Sequence, residues 1–220
     1  MTLVLVPGHL CDARLYAPQL ADYPDALVAD VTRDDTVVGM AARLLDMAPA
    51  TFSLAGLSMG GMVAMEVMRQ APDRVTSALL LATDPTPARE KEVAWRADMN
   101  DAGLPAFART FSQMFFAHDA DCATRLRPDA EAMMIEMGGA LYLRQSHALN
   151  TRPDLREAMA SCSVPTLILA GSEDRICPPR LHHDLADTML NAQLQVIEGC
   201  GHIITLERPD RVNAALGQIV

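Results

Sequence analysis

The segment Phe52-Ser53-Leu54-Ala55-Gly56-Leu57-Ser58-Met59-Gly60-Gly61 constrains this chain more than any other. An apolar run of strand character passes, through a serine flanked by glycines, straight into a helix. Met62, Val63, Met65, Val67 and Met68 cover that helix nearly all round. A helix with so little polar surface must be buried, and the strand before it must lie inside a sheet. No residues are spare between the two, so the chain reverses sharply at Ser58. Glycine at 56 and 60 removes the Cβ atoms that would collide where the arms of the turn meet. The hydroxyl of Ser58 then projects from the sheet edge at a helix N-terminus, where free N–H groups and the dipole favour developing negative charge. A plain Gly-Ser turn needs neither the apolar strand nor the immediate helix; a nucleophilic serine needs both.

The same alternation extends along the chain. Strand-like runs are Leu3–Val6 (stopped by Pro7-Gly8), Ala26–Val31, Phe52–Leu57, Val75–Ala82, Val164–Gly171 and Leu194–Ile197. Helical stretches are Leu15–Ala21, a helix capped by Thr36 with Val37, Met40, Ala41, Leu44 and Leu45 on one face, Met59–Gln70, Pro178–Leu190, and a last helix running to Ile219. This order predicts an α/β fold around a mostly parallel sheet of about six strands. Between Asp84 and Cys162 the strand signal disappears, and apolar residues such as Phe107, Phe111, Phe115, Met133 and Met134 recur at helical spacings. The expected organisation is a core from 1–84 and 163–220, interrupted by a helical insertion over 85–162.

Composition narrows the function. With 220 residues, the chain has room for one domain and an insertion. A formal net charge of −10 disfavours nucleic acid and anionic membranes as partners. Lys91 is the only lysine. No apolar run is long enough for a membrane span, and the N-terminus has no basic segment ahead of its short apolar run, so a cytoplasmic location is expected. Cys11, Cys122, Cys162, Cys177 and Cys200 form no C-x-x-C pair and are expected as reduced thiols. The chain has no Walker A loop, no G-x-G-x-x-G and no H-E-x-x-H, so neither a cofactor nor a metal is expected.

A serine hydroxyl needs a base within hydrogen-bond reach and a third group to orient that base. His202 follows Gly199-Cys200-Gly201 directly after the last strand, at the carboxyl edge of the sheet where catalysis gathers in such folds. His182 and His183 lie mid-helix and are expected at the surface. His118 and His147 lie in the helical insertion, where they are possible pocket residues. For the acid, Asp174 stands in the loop after the Val164–Gly171 strand; Glu173 beside it and Asp84 after Val75–Ala82 are its rivals.

The order Ser58, Asp174, His202 resembles that of the α/β-hydrolase-fold serine hydrolases. Three blocks carry the resemblance, one of them Val164-Pro165-Thr166-Leu167-Ile168-Leu169-Ala170-Gly171-Ser172-Glu173-Asp174, which is similar to the family's acid strand and loop. Leu3-Val4-Leu5-Val6-Pro7-Gly8-His9 is similar to the family's strand ending in an H-G or P-G turn, and Gly199-Cys200-Gly201-His202 with Glu207-Arg208-Pro209 to its histidine loop and final helix. The nearest flavour is that of small carboxylesterases, enol-lactonases and pimeloyl-ester carboxylesterases. The resemblance implies a Ser58–His202–Asp174 triad that cleaves a small-molecule ester, lactone or thioester, with an oxyanion hole from the main-chain N–H groups of His9 and Met59. It also implies that 85–162 is a cap, with Leu10, Phe111, Phe115 and His147 as pocket-lining candidates. The apolar cap residues are expected mainly as the cap's own core, with a wall over Ser58 as the other reading.

Three other activities share the scaffold: C–C bond hydrolysis, lyase chemistry and acyl transfer. A receptor that retains the triad is a further alternative. Menaquinone-pathway lyases carry Arg where this chain has Met62, and haloalkane dehalogenases use Asp where it has Ser58. The family usually begins with a β-hairpin, for which no residues precede Leu3. Ala26–Val31 is then expected as an exposed edge strand with Asp30 and Thr32 along it, and the protein as a monomer or as a homodimer through that edge.

Overall fold

The structure, a computed structural model, describes residues 2–118 and 122–220. Six strands form one sheet: β1 (Leu3–Val6), β2 (Leu27–Val28), β3 (Phe52–Leu57), β4 (Val75–Leu81), β5 (Thr166–Gly171) and β6 (Ala192–Ile197). All pairs are parallel, in the order β2-β1-β3-β4-β5-β6. The inner strands bury both faces, which is why they read as unbroken apolar runs. Leu3, Leu5, Leu79, Leu81, Leu167 and Leu169 belong to one core; Val4, Val6, Ala78, Leu80 and Ile168 belong to the other.

The second core is covered by α2 (Val37–Met47) and α3 (Met59–Gln70), joined later in the chain by α8 (Arg156–Ala160) and α9 (Pro179–Thr188). Thr36 caps α2, its hydroxyl accepting from the Gly39 N–H at 3.0 Å. The first core lies under α1 (Ala17–Asp22), α10 (Ile204–Glu207) and α11 (Pro209–Ile219). Helices α4 (Glu90–Ala102), α5 (Leu104–Ser112), α6 (Ala123–Met137) and α7 (Gly139–Asn150) also lie between β4 and β5. Residues 119–121 of the insertion lie outside the described residues.

The expected helix Leu15–Ala21 is a 3-10 turn over Ala13–Tyr16 followed by α1, and two further elements differ from the sequence expectation. The expected strand Ala26–Val31 shrinks to Leu27–Val28 because the Asp30 carboxylate accepts from the Thr32 N–H at 3.0 Å and from its hydroxyl at 2.5 Å, turning the chain away from the edge. The last helix divides into α10 and α11 at Arg208, where Pro209 starts a new helix. Among the described residues no helix is long and apolar enough to cross a membrane.

The strand order has a consequence for function. From β1 the chain moves outward to β2, then returns across β1 to β3 and continues the other way. The crevice at the carboxyl ends of β1 and β3 is therefore the topological switch point, where ligands bind in sheets of this kind. Val6 pairs with Gly56 there, which brings the turn after β1 beside the turn after β3.

Candidate active site

Ser58 occupies the turn after β3 with φ 58° and ψ −117°, a strained conformation for a residue with a side chain. The surroundings enforce it. Its N–H donates to the Leu81 carbonyl at 2.9 Å, and its own carbonyl accepts from the Gly61 N–H at 2.9 Å and from the Thr83 hydroxyl at 2.8 Å. A Cβ on Gly60 would stand 2.0 Å from the Val6 carbonyl oxygen, and one on Gly56 would stand 2.3 Å from the Gly60 carbonyl oxygen. Both glycines are therefore required for the elbow to press against β1.

His202 and Asp174 meet across the top of the sheet. His202 Nδ1 lies 2.8 Å from Asp174 Oδ2, and both side chains are buried. The other carboxylate oxygen accepts from the main-chain N–H groups of Ile176 at 2.8 Å and Cys177 at 2.9 Å, which fixes the orientation of the acid. Neither rival does this. Glu173 is exposed and accepts from the His118 N–H at 2.9 Å. Asp84 is buried, but it accepts from the Thr86 N–H at 2.8 Å and faces Arg89 and Arg152. Among the described hydrogen bonds none joins the Ser58 hydroxyl to His202; links of this kind tighten as the transition state forms.

The turn after β1 is held from a distance. The Cys11 N–H donates to the Gly8 carbonyl at 3.1 Å, and Leu10 takes φ 54°. Leu10 N–H donates to Gln145 Oε1 at 2.8 Å, and Gln145 Nε2 donates to the Val31 carbonyl at 3.1 Å. The His9 N–H has no acceptor among the described residues, and Met59, first in α3, has none within its helix. The His9 imidazole is buried against Phe107, Phe111 and Tyr142. Burial, with Arg96 second, pulls its pKa from 6.5 down to about 3, so it is neutral.

A cavity of about 320 Å³ opens on Ser58. His9 and Met62 line its core side; Trp95, Phe107, Phe111 and Met114 line the side of the insertion. The apolar residues of the insertion thus divide: these four face the cavity, whereas Met133 and Met134 are packed in the first core.

Three pocket-lining candidates are placed elsewhere. Leu10 is wholly buried in the core because its backbone is pinned by Gln145. His147 is exposed on α7, on the helix face away from buried Leu141, Gln145 and Leu149. Phe115 is packed behind the histidine. Its ring stacks on His202 at 6.2 Å, and its carbonyl accepts from the N–H groups of His202 at 2.7 Å and Ile203 at 3.1 Å.

The expectation that His182 is a surface residue is also corrected. It is fully buried, and its Nε2 accepts from the Thr83 N–H at 2.9 Å, on the same residue whose hydroxyl holds Ser58. Burial lowers its pKa. The signal was readable: Leu181, His182 and Leu185 fall on one face of α9. His183 is exposed, as expected. Glu207 was not singled out as a site residue. Its carboxylate accepts from the N–H groups of Gly201 at 2.9 Å and Ala117 at 3.2 Å, bracing the histidine loop, and burial raises its pKa. Among the described residues no three His, Cys, Asp or Glu side chains gather as a metal site would need.

The comparisons with known proteins agree with this fold. The sequence profile described as "Alpha/beta hydrolase family" matches residues 3–215. A Nitrosospira multiformis pimeloyl-[acyl-carrier protein] methyl ester esterase is 27% identical over 184 residues, covering 78% of this chain and 69% of the relative. A Mycobacterium tuberculosis protein named as a non-heme bromoperoxidase is 28% identical over 198 residues, covering 78% of this chain and 68% of that one. Among solved structures, a thermophilic esterase from Thermogutta terrifontis superposes with a TM-score of 0.89 at 24% identity, over 99% of this chain and 88% of the esterase.

Proposed function

The chain belongs to the alpha/beta hydrolase family, and from that premise we propose that it is a serine hydrolase acting on a small carboxylic ester, lactone or thioester. The observation that carries this is the buried Asp174–His202 pair at 2.8 Å, beside a strained serine that opens onto a cavity. Asp174 accepts from Nδ1–H of His202, which leaves Nε2 with its lone pair free to take the Ser58 proton. Ser58 Oγ attacks the carbonyl carbon. The oxyanion develops towards the N–H groups of His9 and Met59, where one such donor lowers the barrier by about 2.7–4 kcal/mol. His202 then protonates the leaving group, and a water activated by His202 releases the acid from the acyl-enzyme.

The insertion 85–162 acts as the cap in this proposal, with Trp95, Phe107, Phe111 and Met114 closing the cavity over the serine. The named activities of the relatives include ester hydrolysis and bromoperoxidation; ester hydrolysis needs nothing beyond water to release an acyl group from an elbow serine with a carboxylate-held histidine. A panel of p-nitrophenyl esters tests it. Turnover that falls by about 10⁵–10⁶ in Ser58→Ala is expected. Specific binding of such esters without turnover would contradict hydrolysis and favour a receptor.

A further inference from the structure

The chain carries a net charge of −10, yet among the described residues the cavity beside Ser58 is walled by Arg89, Lys91, Arg96, Arg152 and Arg175 against only Asp84 and Glu92. The only lysine of the sequence is among them. An acidic protein has placed an excess of positive charge in the one place where its substrate would sit.

The internal pairing does not use that charge up. Glu92 is engaged by Arg89 and, at 2.7 Å, by Arg152. Asp84 lies 3.4 Å from Arg89 and 3.8 Å from Arg152. Arg152 is further committed to the carbonyls of Thr86 at 2.8 Å and Leu149 at 3.0 Å, so it is a structural strut. Arg96 is left over. Its side chain is 11% exposed; among the described residues its carboxylate partner is Glu92 at 3.8 Å, which Arg89 and Arg152 hold more closely, and its short contact is to the neutral Asn150 Oδ1 at 2.7 Å. Burying a guanidinium whose carboxylate is shared with two other arginines is costly unless a ligand completes it. Burial, then Arg152, draws its pKa down to about 10, as expected of a cation short of anions.

The neighbours fit the same use. Lys91 and Arg175 are exposed where the cavity meets solvent, and neither has a carboxylate partner among the described residues. His9, which lines the cavity, keeps a buried Nε2 without a hydrogen-bond partner. Trp95, Phe107 and Phe111 give an apolar wall beside the guanidinium, which suits a short hydrocarbon spacer.

We propose that Arg96, with Lys91 at the mouth, binds a free carboxylate on the substrate, so that the cavity selects esters, lactones or thioesters carrying a second acid group. This rests on the hydrolase function proposed above, and it names the substrate class for that same site. Arg96 is a binding residue here and takes no part in bond making.

The test is a matched series. Mono-p-nitrophenyl esters of glutarate, adipate and suberate are compared with p-nitrophenyl valerate, hexanoate and octanoate, in wild type, Arg96→Gln, Arg96→Lys and Lys91→Ala. The best half-acid ester should exceed its neutral counterpart in kcat/KM by about tenfold or more, the size of one charge-assisted contact. Arg96→Gln should bring the ratio of half-acid to neutral kcat/KM down to about one, and Arg96→Lys should restore part of that ratio. Activity on the neutral ester shows that each variant is folded. If Arg96→Gln does not fold, loss of the wild-type preference on raising salt and in Lys91→Ala replaces it. Neutral esters matching or exceeding the half-acids at every length would overturn the proposal.

If neither series is hydrolysed, the hydrolase function fails, and the charge inference is decided separately by binding. Adipate should then raise the Tm of wild type more than the matching diol does, and should not do so in Arg96→Gln. Equal effects of adipate and the diol would overturn it.

Discussion

Asp174 grips His202 through one carboxylate oxygen, with Oδ2 2.8 Å from Nδ1, while its other oxygen is held by two main-chain N–H groups. The acid is thus oriented before it orients the base. An amide in its place would keep the shape but would present an N–H to Nδ1 or force the other tautomer. Asp174→Asn is expected to lower kcat by about 10⁴. Its kcat on a p-nitrophenyl ester, measured beside its Tm, checks this. A drop below tenfold in a well-folded variant would remove Asp174 from the site.

Stability should fall in mild acid for a reason internal to the site. His9 is neutral in the fold because its pKa is pulled to about 3, whereas an unfolded chain binds that proton near 6.5. Its contribution is therefore complete above pH 6.5 and is lost as pH falls towards 3, at about 1.4 kcal/mol per pH unit. His182, also lowered by burial, acts in the same direction. Urea unfolding at roughly pH 7.5 and 5.5 should show wild type losing more stability than His9→Leu across that interval. Equal losses would mean that His9 is not buried neutral.

The elbow makes a steric prediction. Gly60→Ala places a methyl group on α3 2.0 Å from the Val6 carbonyl oxygen, and β1 cannot retreat, because Val6 is paired with Gly56. A loss of more than about 3 kcal/mol, or failure to fold, is expected. Gly139→Ala is the control: a Cβ there meets nothing within 4 Å, so stability should hold or rise by about 0.4–1 kcal/mol. Denaturant midpoints of the two variants separate the cases.

The elbow was legible in the sequence because its constraints are local: the glycines, the serine and both arms are contiguous. The five longer strands and α3 were legible for the same reason, through unbroken apolar runs and a helix apolar nearly all round. Choosing between Glu173 and Asp174 was beyond local pattern. They are neighbours in one loop, and only the placement of His202 distinguishes them. Gln145 and Phe115 act on the His9–Leu10 turn and on His202 from far along the chain, so no motif contains their roles. His147 and Leu10 show the reverse: proximity in the motif or the insertion did not decide which way a side chain faces. The surplus of positive charge at Arg96 is likewise a tertiary property, since in the sequence the arginines are scattered and their acidic partners cannot be assigned.

The central claim is that Ser58 carries an acyl group during turnover. Wild-type protein quenched while hydrolysing p-nitrophenyl butyrate should show, by mass spectrometry, one butyryl group on the peptide containing Ser58, absent in Ser58→Ala. Full turnover with no acylated Ser58, or undiminished turnover in Ser58→Ala, would contradict it.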